Sequence, residues 1–109
     1  MKSFEYFKPK TLEDASRILL SEQSSEVISG STDLLGEMKE GVAEPSILIS
    51  LSDIPNLRRI IWDGDGLTIG AMVTLADIVS HPEIRLRCLA LAEAAESVAT
   101  PQIRNIGTL

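Results

Sequence analysis

Three short apolar runs separated by two helix-like stretches constrain this chain more than any other feature. "FEYF" at 4–7, "SEVISG" at 25–30 and "ILISL" at 47–51 read as strands, and "TLEDASRILLSE" and "TDLLGEMKEG" carry helical spacing between them. Strand, helix, strand, helix, strand in so short a span predicts βαβ units with right-handed crossovers, hence mostly parallel strands. Val27 and Ile28 form the apolar part of the second strand. The near-continuous apolar character of Ile47–Leu51 suits a strand covered on both faces. Thr11 stands three residues before Asp14, a helix-capping spacing, and Leu12, Ala15, Ile18 and Leu19 fall on one helical face. Gly41 closes the second helix.

After Pro55 the pattern changes. "RRIIW" and "LTIGA" flank "DGDG", a strong hairpin signal. Asp63 and Asp65 could open a calcium loop, but such a loop ends on a bidentate glutamate where this chain has Thr74, so the turn is preferred. Trp62 then packs across the hairpin. Thr74 and Asp77 repeat the capping spacing, with Leu75, Ile78 and Val79 as the buried face of a helix that ends near His81-Pro82, a solvated exit. Leu89, Ala92, Ala95, Val98 and Ala99 predict a longer alanine-rich helix stopped by Pro101. "QIRNIGTL" runs on with no closing turn or cap, as though a larger domain were interrupted.

Composition narrows the function classes. With 109 residues, 44% apolar and 24% charged, the chain is a single folded domain or a piece of one. A net charge of −6 argues against a nucleic-acid partner, which demands clustered Lys and Arg. No apolar run approaches the roughly 20 residues of a membrane span, and the start lacks a signal-peptide core, so a cytoplasmic location is expected. Cys88 and His81 are each the only residue of their kind, which leaves no histidine pair or cysteine set to hold a metal, and no Cys-His pairing is read in the sequence. Cys88, among leucines, reads as a buried thiol. Glu37 with Glu40, and Glu93 with Glu96, have the spacing of solvated helix faces. No side chain is a candidate catalytic acid, base or nucleophile.

What remains is "VISGSTDLLGEMKEG", from Val27 to Gly41, where a strand meets a helix at a glycine. Glycine permits close approach to the backbone, and the first-turn N–H groups lack internal partners and carry the positive end of the helix dipole. Gly30-Ser31-Thr32-Asp33 could therefore seat a pyrophosphate without a lysine. Equally, Ser31 or Thr32 could be an ordinary helix cap with Asp33 favouring the dipole. Neither the P-loop pattern nor Gly-x-Gly-x-x-Gly is present, so the local sequence leaves both readings open.

Taken in order, "FEYFKPKTLEDASRIL", "VISGSTDLLGEMK", "ILISLSDIPNLRRI", "LTIGAMVTLADI" and "TPQIRNIGTL" resemble the N-terminal part of the molybdopterin-dehydrogenase FAD-binding family, the flavin subunits of carbon monoxide and xanthine dehydrogenases. The resemblance covers essentially the whole chain. It implies an α/β (α+β) fold of the vanillyl-alcohol-oxidase/para-cresol-methylhydroxylase type. Residues 1–57 would form the small FAD-binding lobe, and residues 58–109 would begin a second lobe. It further implies FAD contacts from Ile28, Ser29, Gly30, Ser31, Thr32, Asp33 and Leu34, with Ser31 standing where many relatives have a second glycine. Ile69, Gly70, Ala71 and Thr74 would lie near the flavin, and Gly107 and Thr108 would begin a second cofactor loop. By the same resemblance, a molybdenum cofactor and iron–sulfur clusters reside on partner subunits, and FAD passes their electrons to an acceptor. The competing expectation is a non-catalytic α/β fragment that associates with itself.

Overall fold

The computed structural model describes residues 2–30 and 32–109. The chain divides into two compact units, Met1–Pro55 and Asn56–Leu109.

The first unit is the alternating α/β segment. Strand β1 (Glu5–Phe7), helix α1 (Leu12–Ser21), β2 (Ser25–Ile28), α2 (Thr32–Lys39) and β3 (Ile47–Ser50) follow one another, and the strands form a parallel sheet in the order β1-β3-β2. Each parallel connection needs a crossover, and the last strand to be made enters the centre. Leu48, Ile49 and Ser50 of β3 are accordingly buried, as its apolar run predicted, while β1 and β2 are largely exposed edges. Ser25, Glu26, Val27 and Ile28 stand opposite Ile47, Leu48, Ile49 and Ser50.

Thr11 caps α1 by accepting the Asp14 N–H at 3.1 Å, the bond its spacing predicted. The apolar stripe of α1 is only partly used: Ala15 is buried and Ile18 half-buried, but Leu12 and Leu19 remain 55% and 43% exposed. Helix α2 ends as expected at Gly41, whose φ of +75° is the left-handed conformation that lets the Val42 N–H reach back to the Glu37 carbonyl at 2.9 Å.

The second unit opens on the predicted hairpin, β4 (Ile60–Trp62) against β5 (Leu67–Ile69). Asp63 organises its turn, its carboxylate accepting the Asp65 and Gly66 N–H groups at 3.1 and 2.9 Å. Trp62 faces Leu67 across the pair, and the Arg87 guanidinium lies 4.7 Å from its ring centroid. Helix α3 (Leu75–Ser80) is capped by Thr74 through the Asp77 N–H at 3.2 Å. Val73, Ile78, Ile84, Ala92 and Ala95 make the core.

Three expectations for this unit need correction. The alanine-rich helix α5 (Leu89–Glu96) stops short of Val98, because the backbone turns left-handed at Ala99, φ +43°. Two short helices were not anticipated, α4 (Pro82–Arg87) and α6 (Pro101–Arg104), each with proline in its first turn, where the missing N–H is harmless. His81 is therefore no solvated exit: it joins α3 to α4, half-buried, and its buried Nδ1 has no hydrogen-bond partner among the described residues. Nor does "QIRNIGTL" run on unfixed. Thr108 pairs with Thr74 in an antiparallel bridge, with the Leu75 N–H on the Gly107 carbonyl at 2.8 Å and the Leu109 N–H on the Val73 carbonyl at 3.1 Å.

Candidate functional site

In open α/β sheets ligands bind beyond the carboxyl ends of the strands. In the first unit that edge is where β2 delivers Ile28, Ser29 and Gly30, all half-buried, into the bend before α2. The Leu51 N–H donates to the Ile28 carbonyl at 3.2 Å, so β2 stays tied to the chain leaving β3 up to the start of that bend. Ser31 lies outside the described residues. Thr32 and Asp33 are exposed in the first turn of α2, and Leu34 is half-buried. The amides of that turn have no intrahelical acceptor, and the helix dipole adds positive potential. This donor set fits an anionic group. The Asp33 carboxylate, an acceptor only, suits a hydroxyl or amide and not a phosphate.

The same edge carries a pair that sequence reasoning passed over. Ser50, 4% exposed, is in register with Ile28, and its hydroxyl accepts the Ser52 N–H at 3.2 Å and lies 2.9 Å from the Ser52 hydroxyl. The available signal was "SLS", two serines spaced by one residue at the end of an otherwise apolar strand. At the end of β1, Lys8, Phe7 and Pro9 line a 270 Å³ hollow together with Asp14, Arg17 and Ile18, where Arg17 and Asp14 pair at 2.8 Å. A larger hollow of 340 Å³ lies at the opposite edge of the sheet, among Ser24, Ser25, Glu26 and Glu44. Its two carboxylates make it a poor anion seat.

The predicted residues of the second unit converge in part. Thr74, Gly107 and Thr108 come together at the bridge, although they are far apart in the unit's sequence. Gly107 is buried, and a Cβ there would stand 3.1 Å from the Ile103 carbonyl oxygen. Ile69 is half-buried and Ala71 exposed. At Gly70 an added Cβ would come within 2.1 Å of the Leu57 carbonyl oxygen, so the chain's own backbone demands glycine there, irrespective of any ligand. Among the described residues no group of three or more His, Cys, Asp or Glu could hold a metal ion.

A profile of the family described as "FAD binding domain in molybdopterin dehydrogenase" matches residues 2–109. The chain belongs to this family. It is 39% identical over its full length to the nicotinate dehydrogenase FAD-subunit of Eubacterium barkeri, and 40% identical over 97% of its length to the carbon monoxide dehydrogenase medium chain of Hydrogenophaga pseudoflava. It spans 38% and 37% of those two proteins. The solved carbon monoxide dehydrogenase of Hydrogenophaga pseudoflava, in the form lacking the Mo-pyranopterin moiety of its molybdenum cofactor, superposes with a TM-score of 0.93 over 97% of this chain at 39% identity. Quinoline 2-oxidoreductase from Pseudomonas putida 86 gives 0.90 at 28% identity. The fold is thus that of the N-terminal part of a molybdopterin-dehydrogenase FAD-binding domain, and no helix among the described residues is long and apolar enough to cross a membrane.

Proposed function

We propose that this chain is the N-terminal part of the flavin subunit of a molybdenum hydroxylase, holding FAD so that electrons from iron–sulfur clusters on a partner subunit reach an acceptor through it. The observation that carries this reading is the β2–α2 junction. A glycine at the carboxyl edge of a parallel sheet, two residues before the first residue of a helix, lies in a chain of the FAD-binding family. Residues 1–57 serve as the small FAD-binding lobe, and residues 58–109 open the second.

Ile28 to Leu34, with Ser31 among them, would hold the pyrophosphate through backbone N–H groups of the junction and the first turn of α2. The hydroxyls of Ser31 and Thr32 would add short-range donors, and Asp33 would accept from a cofactor hydroxyl. Ile69, Gly70, Ala71 and Thr74 would lie near the flavin, and Gly107 and Thr108 would begin a second cofactor loop. When bound, FAD supplies the electron-transfer chemistry that no side chain here provides. This chain's contribution is placement and a fixed field of amide dipoles.

Gly30→Val tests the reading in the protein at the length its gene encodes. A branched side chain at the bend would block approach to the backbone, so the purified variant should lose its flavin absorbance while its far-ultraviolet circular dichroism is retained. Normal flavin content in that variant would count against the assignment. Light scattering separates the self-association alternative, for which a tight dimer free of flavin is the expected result.

A further inference from the structure

Two arginines of the second unit do the same work. Each sits in a short helix and donates to a carbonyl six residues earlier, at or just past the end of the preceding helix: Arg85 to Val79, and Arg104 to Val98 at 2.8 Å. The second case spans a strained residue, since Ala99, left-handed at φ +43°, lies between Val98 and the cap Thr100. A non-glycine residue persists in that conformation only where its surroundings over-determine it. Here the Arg104 guanidinium holds the carbonyl before Ala99, and the Thr100 hydroxyl, 3.3 Å from the Ile103 N–H, fixes the residue after it.

The braced turn leads through α6 into the Thr74–Thr108 bridge. One helical turn delivers Gly107, whose N–H bonds the Ile103 carbonyl at 2.7 Å and whose carbonyl takes the first amide of α3, that of Leu75. Thr108 is thereby fixed opposite Thr74. The turn at 97–100 sets the start of α6, and α6 sets where Gly107 and Thr108 stand.

Resting on the flavin reading, we propose that Arg104 is a positioning residue for FAD. By bonding the Val98 carbonyl across the left-handed turn, it places the Gly107-Thr108 backbone against Thr74 without touching the cofactor itself. A charge-assisted hydrogen bond of this kind is typically worth about tenfold in an equilibrium constant.

The test uses the protein at its native length, stripped of flavin and titrated with FAD well below its melting temperature. Arg104→Ala should raise the Kd by about tenfold or more and speed exchange of the Leu75 and Leu109 amides, while Arg104→Lys, which keeps a charged donor but loses the planar guanidinium, should fall between it and the wild type. A purely structural role would lower the folded fraction, and so the number of sites, but leave the Kd of the folded molecules unchanged. That outcome, or an unaltered Kd with full occupancy, would overturn the proposal. Should Arg104→Ala not fold, Arg104→Lys with the wild-type Kd and unchanged amide exchange would do the same. A wild-type protein that binds no FAD would instead refute the flavin reading itself.

Discussion

The glycines show how differently one residue type can be constrained. Gly36 lies exposed inside α2, with nothing within 4 Å of the Cβ it lacks. Gly36→Ala should therefore stabilise the first unit by up to about 1 kcal/mol, since alanine loses less backbone entropy in a helix. Gly70 is the reverse case, because the place of its missing Cβ is occupied by the Leu57 carbonyl, whose oxygen also takes the Met72 N–H at 2.8 Å. Gly70→Ala must displace backbone that is already bonded, and a loss of about 3 kcal/mol is expected. Urea denaturation of the two variants checks both signs at once. Nothing in "LTIGAM" distinguishes a packing glycine from a cofactor glycine, because the deciding atom belongs to Leu57, on the far side of the hairpin in a loop without periodicity.

At the scale of elements, legibility followed locality. The caps at Thr11 and Thr74, the close at Gly41 and the "DGDG" hairpin each depend on residues within a few positions, and the structure forms all of them. Helices α4 and α6 escaped because such short helices carry too few apolar positions to display a period, and both begin at a proline that also reads as a stop. The Thr74–Thr108 bridge is a tertiary fact that no local pattern encodes. The hairpin also has a pH signature. The Gly66 and Asp65 amides hold the Asp63 carboxyl below its usual 3.8, so the folded state binds its proton less tightly than the unfolded chain. That contribution is present above pH 3.8 and is lost as pH falls through the lower, folded value. Fluorescence of the only tryptophan, Trp62, next to the turn, should report loosening in that acid range, and Asp63→Asn should weaken the pH dependence.

At the scale of the whole molecule, charge and length act together on the cofactor. The 109 residues span little more than a third of their relatives, so expressed by themselves they offer only part of an FAD envelope, and little flavin should survive gel filtration. Stoichiometric flavin absorbance after the column would contradict this. The residual affinity should also have a distinctive salt response. At a net charge of −6 the chain repels a dinucleotide at long range, and the attraction assigned to the β2–α2 junction comes from oriented amides acting over a few ångströms. Salt screens the long-range repulsion, with a Debye length of about 8 Å at physiological ionic strength, far more than it weakens hydrogen bonds at contact. Raising salt from low to physiological strength should therefore leave FAD binding unchanged or slightly tighter in a fluorescence titration. A steep fall in affinity would instead mean that lysine and arginine pairing holds the pyrophosphate, and would direct attention to Lys8 and Arg17 beside the end of β1.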